Sequence, residues 1–167
     1  MTQPIVIDRN LDEIEKSMPK SSFDALVYEG KRIKIDKVME LEVPDLYTGE
    51  GGTYNSASTA TKHVISIVTE SLPKLNDKGE VTEELYKYFD ELSNIEKTIT
   101  VDIRLGLKLD KATNKWVISK HPKAKLWKFM RKMGVEKLSE LKGKYVTLIT
   151  EPSSDPTDDR NYLRISI

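Results

Sequence analysis

From residue 99 to residue 110 the chain reads ITVDIRLGLKLD, and every second position is a large aliphatic: Ile99, Val101, Ile103, Leu105, Leu107 and Leu109. Thr100, Asp102, Arg104, Gly106, Lys108 and Asp110 fill the positions between them. Successive side chains of an extended chain point to opposite faces, so a period of two specifies a strand with one face buried and one face wet. A helix would spread the same residues around its whole circumference. Residues 33–43 alternate in the same way, with Lys37 interrupting the apolar side and marking a bend or bulge. Further strands are expected at 62–69 (KHVISIVT), at 115–119 (KWVIS, turned back by DKATN), at 144–151 (KYVTLITE) and at 161–167 (NYLRISI).

Other segments follow the helical period. Leu85, Tyr88, Phe89 and Leu92 fall at i, i+3, i+4 and i+7 behind Thr82, a good cap, and predict a helix over 82–93. Leu126, Phe129, Met130 and Met133 repeat the spacing, with Pro122 suited to the first position and Gly134 to the end. A second short helix is expected in VEKLSELK, residues 135–142. Residues 1–22 read as an N-terminal arm with a short helix from Asn10 to Met18, stopped by Pro19. Residues 23–167 make a single domain, and 45–61 form a long Gly/Ser/Thr loop of a length that is commonly functional.

Composition narrows the function. The chain has no cysteine, which excludes disulfides and thiolate zinc sites and suits a reducing, cytoplasmic setting. The N-terminus does not read as a secretory signal, and no run approaches the ~20 apolar residues needed to span a membrane. His63 and His121 are far apart, and no nucleophile elbow, phosphate-binding glycine loop or zinc-protease motif is present. GEGG at 49–52 precedes no helix and reads as loop flexibility. Asp155, Asp158 and Asp159 gather acids that could hold Mg²⁺ or Ca²⁺, but they lack the spacing of a known loop and read as a solvated turn. The expectation is a non-enzyme without metal or cofactor.

Charge is the more telling feature. The chain balances 27 basic against 27 acidic residues, yet residues 111–134 hold eight Lys/Arg and no Asp/Glu. The remainder is left with 19 basic and 27 acidic, so neutrality is the sum of two opposed blocks. Such a block informs about partners. Lys125, Lys128, Arg131 and Lys132 fall on the side of the 122–133 helix away from its apolar stripe, with Trp127 on the border. The stripe itself reads as core.

Without the 82–93 helix, the order is three strands, a helix and two strands. This order, and the helix-Gly-helix-Gly-strand layout of KLWKFMRKMGVEKLSELKGKYVTLITE, resembles the OB fold of phage and archaeal single-stranded-DNA-binding proteins over residues 28–167. The resemblance implies a mainly β, five-stranded Greek-key barrel with a helix between strands 3 and 4 and an extra helix inserted between strands 2 and 3. It implies a ligand lying across strands 2 and 3 and their loops. The residues this assigns to nucleic acid are Lys62, Arg104, Lys108, Lys115, Trp116, Tyr47 and Tyr54, with Gly106 leaving a flat spot. Lys125, Lys128, Arg131 and Lys132 would be an outer track or a docking patch. The expected function is non-catalytic binding of single-stranded nucleic acid, DNA ahead of RNA, by cations that meet phosphates and aromatic rings that stack bases. The alternative is a protein-interaction or structural module of a phage or archaeal virus assembly, with a protein partner or homo-oligomer and no membrane.

Overall fold

The computed structural model describes residues 3–10 and 23–167. The expected arm helix falls on residues outside these, apart from Asn10. The strands are β1 (Arg32–Pro44), β2 (Thr61–Thr69), β3 (Pro73–Leu75), β4 (Val81–Leu85), β5 (Lys87–Asp90), β6 (Ile95–Thr98), β7 (Asp102–Gly106), β8 (Lys108–Asp110), β9 (Lys115–Val117), β10 (Tyr145–Pro152) and β11 (Asn161–Ile165). Among the described residues the one α-helix is α1 (Lys125–Met133), and no helix is long and apolar enough to cross a membrane.

The main sheet has five strands in the order β11-β10-β1-β2-β7, and β3–β4, β5–β6 and β8–β9 are separate hairpins. No ladder joins β7 to β11, so the expected closed barrel is not formed. The reason lies partly in the long alternating run. It does not continue as one strand: Leu107 donates its N–H to the His63 carbonyl at 3.0 Å, and beyond it β8 leaves the sheet to pair with β9. The sheet edge is therefore only five residues long. The core-facing side is covered instead by α1, whose Leu126, Phe129 and Met130 join Ile35, Ile67 and Leu148 in one buried cluster.

The bulge in β1 is where Lys37 placed it, between Ile35 and Lys37 in the pairing with β2. It lets Ile33 and Ile35 face the core before the bulge and Val38 after it. Thr69 is buried, and its hydroxyl is satisfied by donating to the Glu70 carbonyl at 2.8 Å and accepting from the Val101 N–H at 2.9 Å.

Both additional helices are corrected. The segment 82–93 is β4, β5 and the turn to β6. Its supposed stripe is exposed, with Leu92 at 100% of its reference area. Val81, Thr82, Tyr86, Tyr88 and Phe89 are good strand formers, and with nothing for a helical stripe to pack on, that local preference wins. Thr82 does not cap a helix: its hydroxyl donates to the Lys74 carbonyl across the hairpin at 2.7 Å. Asn94 closes β5–β6 in the left-handed region, at φ 56°. The second short helix is a single 3₁₀ turn, Leu138–Leu141, which buries only Leu141.

Helix α1 starts later than Pro122 suggested. Residues 121–124 form a turn in which His121 Nδ1 accepts the Lys123 N–H at 3.1 Å. Gly134 ends the helix at φ 70°, and the Val135 N–H returns to the Met130 carbonyl at 3.1 Å.

Candidate nucleic-acid interface

The register sorts the strand residues by face, because directly paired residues share one. Ile65 pairs with Leu105 and Ile67 with Ile103, and these four face the core. The intervening pairs therefore point outward: Ser66 with Arg104, Val64 with Gly106, and Lys62 with Val43 on β1. Lys62 and Arg104 thus share the outer face, as the alternation implied. Val64 and Ser66 are buried, consistent with the place of β2 between β1 and β7. Gly106 is exposed, and a Cβ built on it would meet nothing within 4 Å. The result is a low strip with a cation on either side.

Tyr47 and Tyr54 belong to the loop that leaves the same end of the β1–β2 pair, held there by the Asp45 N–H to the Ala60 carbonyl at 2.9 Å. Their rings meet edge to face at 5.9 Å, and both are exposed. Each ring braces the other and keeps much of its surface open.

Trp116 is placed elsewhere. Its ring stacks on that of His63, with centroids 4.9 Å apart and planes 7° from parallel. His63 pairs with Glu42 and binds Glu40 through Nδ1 at 3.1 Å, on the core-facing side of β2. Trp116 therefore extends the core side of the sheet, and Arg104 and Lys62 lie across the strand from it. Lys108 and Lys115 lie on the face of the β8–β9 hairpin opposite Trp116.

Lys125, Lys128, Arg131 and Lys132 are all exposed on α1, away from its buried stripe. Lys132 Nζ donates to Ser166 Oγ at 3.4 Å, and Lys120 Nζ lies 5.4 Å from the ring of half-buried Trp127. None of the eight predicted cations takes part in an ion pair among the described residues.

Sequence reasoning missed a second cationic and aromatic cluster. Tyr145 pairs with Lys34 on β1, and Arg32 lies two residues away. The two cations sit 5.5 Å and 5.6 Å from the ring centroid, and the tyrosine is exposed. Lys34 was legible as an outward residue of β1. Its meeting with Tyr145 depends on a register between segments more than a hundred residues apart, which no local pattern encodes.

The acidic loop binds itself. Asp158 accepts from Arg160 Nε at 2.8 Å and Nη2 at 3.0 Å, and from the Tyr162 hydroxyl at 2.7 Å. Arg160 foremost, then Tyr162, hold the Asp158 carboxyl far below the usual carboxylate range. Asp155 is lowered by the Thr157 N–H and hydroxyl. The carboxylates are thus engaged separately, and no cluster of metal-ligating side chains occurs among the described residues.

No protein-family model, curated protein or solved structure matches the chain.

Proposed function

We propose that the chain binds single-stranded nucleic acid, DNA ahead of RNA, without catalysing a reaction on it. The observation that supports this best is the outer face of β1, β2 and β7. Lys62 and Arg104 flank a strip left low by Gly106, and neither has a carboxylate partner among the described residues. Phosphates would be met by those cations and bases by Tyr47 and Tyr54 at the end of the strip. Cations already neutralised by carboxylates would release no counterions from a bound strand, whereas unpaired ones do.

The test is a Lys62→Glu, Arg104→Glu variant titrated with labelled oligo(dT) by fluorescence anisotropy. Affinity should fall, and the slope of log K against log salt should flatten by about 0.7 for each phosphate contact removed. Unchanged affinity and slope would remove this face from the interface.

A second reading, a protein-interaction or structural module, is favoured by a different observation: the exposed apolar residues of the inserted hairpins.

A further inference from the structure

The hairpins between β2 and β7 expose Val81, Leu85, Tyr88, Phe89, Leu92 and Ile95 within fifteen residues. Among the described residues the β5–β6 hairpin has no third strand beside it. A two-stranded hairpin is marginal in water unless something packs on it. The β5–β6 register puts Phe89 on one face with Glu96, and Tyr88 and Ile95 on the other with Asp90, so each face mixes apolar and acidic side chains. The segment as a whole is acidic, since residues 76–96 carry seven Asp/Glu and two Lys. Residues 111–134 are the reverse, with eight Lys/Arg and no acid.

The two segments do not neutralise one another within the chain. Among the described residues, the ion pairs of the acidic segment are Lys74–Glu84 at 3.8 Å and Lys97–Asp90 at 2.6 Å, and neither reaches the basic segment. Glu83, Glu91 and Glu96 are exposed on one side of this imbalance, and Lys125, Lys128 and Arg131 on the other.

We propose that the acidic, apolar hairpins of one copy dock on the basic face of α1 in a second copy. Phe89 and Leu92 provide apolar anchors. The lysine stems and the exposed edge of Trp127 provide a surface that accepts them while the charged heads meet Glu83 and Glu91. Each copy then offers hairpins at one place and accepts them at another. The contact is heterologous, and it extends into an open array wherever the rotation does not close a ring. It needs no nucleic acid, so it stands or falls separately from the function proposed above.

Sedimentation velocity without nucleic acid tests it, at low salt and at high salt. Variant one is Lys128→Glu with Arg131→Glu. Variant two is Glu83→Lys with Glu91→Lys. All four positions are exposed, and circular dichroism checks that both variants fold. Wild type should sediment as species heavier than the monomer at low salt and return to monomer at high salt, where the Debye length shrinks to a few ångströms. Each variant alone should lose the heavier species, because like charges then face each other. An equimolar mixture should regain it, because one variant's hairpins complement the other's helix. Phe89→Ser with Leu92→Ser should lose it when alone; mixing with variant one, whose hairpins are intact, should restore only a dimer on the intact helix, and mixing with variant two, whose hairpins are basic, should restore nothing. A wild type that stays monomeric at low salt, heavier species that survive either reversal, or a mixture that remains monomeric would each overturn the proposal.

Discussion

The indole of Trp116 already has a partner on one face, the ring of His63 lying 4.9 Å away. That changes what its removal should do. Trp116→Ala should cost about 0.5–1.5 kcal/mol of stability for the lost aromatic pair, beyond the area it buries. It should leave oligonucleotide affinity nearly unchanged, because the ring lies across β2 from Lys62 and Arg104. Gly106→Val should behave in the opposite way. Its backbone is not in the left-handed region and its Cβ meets open space, so urea denaturation should show stability held or slightly raised. The valine would stand in the strip, and anisotropy should show weaker binding. If Trp116→Ala abolishes binding and Gly106→Val spares it, the interface is on the other face. Asp158 offers a test by pH. Donors from Arg160 and Tyr162 stabilise its charged form in the fold, so its folded pKa lies below the unfolded value of about 3.9. Its contribution to stability is present above that value and lost as pH falls through the folded pKa. A carbon-detected NMR titration should find the Asp158 carboxyl still ionised when ordinary aspartates have protonated. A midpoint at the ordinary value would contradict the cluster with Arg160 and Tyr162.

At the scale of elements, what was legible was whatever a local pattern and burial both supported. The stripe of α1 could be read because Leu126, Phe129 and Met130 do reach the core. The β1 bulge could be read because Lys37 is a polar residue where an apolar one belongs. Leu85, Tyr88, Phe89 and Leu92 showed the same helical spacing, but nothing in the sequence said whether a core stood opposite them. The strand-forming residues decided the outcome. The run at 99–110 likewise gave no sign that Leu107 would be a branch point, since its alternation is unbroken. Leu92→Ser should therefore change the stability of the monomer by no more than about 0.5 kcal/mol, as for other surface changes. A loss of several kcal/mol in urea would mean that residues 82–93 are packed after all. Gly134 is the contrasting case. A Cβ there meets no neighbour, so Gly134→Ala should cost only the left-handed conformation, about 1–2 kcal/mol, and shift the urea midpoint accordingly.

For the whole molecule, the sequence disclosed two opposed charge blocks but not where the fold would put them. Among the described residues no ion pair joins the two blocks, and none engages Lys62 or Arg104 on the outer face of the sheet. The partner proposed for such a face is an elongated polyanion, and phosphate contacts would make its affinity fall steeply with salt. The most direct measurement is the anisotropy of labelled oligo(dT), with a matched duplex beside it, titrated with the wild-type chain at low and at physiological salt. The account predicts binding to the single strand in preference to the duplex, with log K falling linearly as log salt rises. Absence of binding to either nucleic acid at low salt would contradict it.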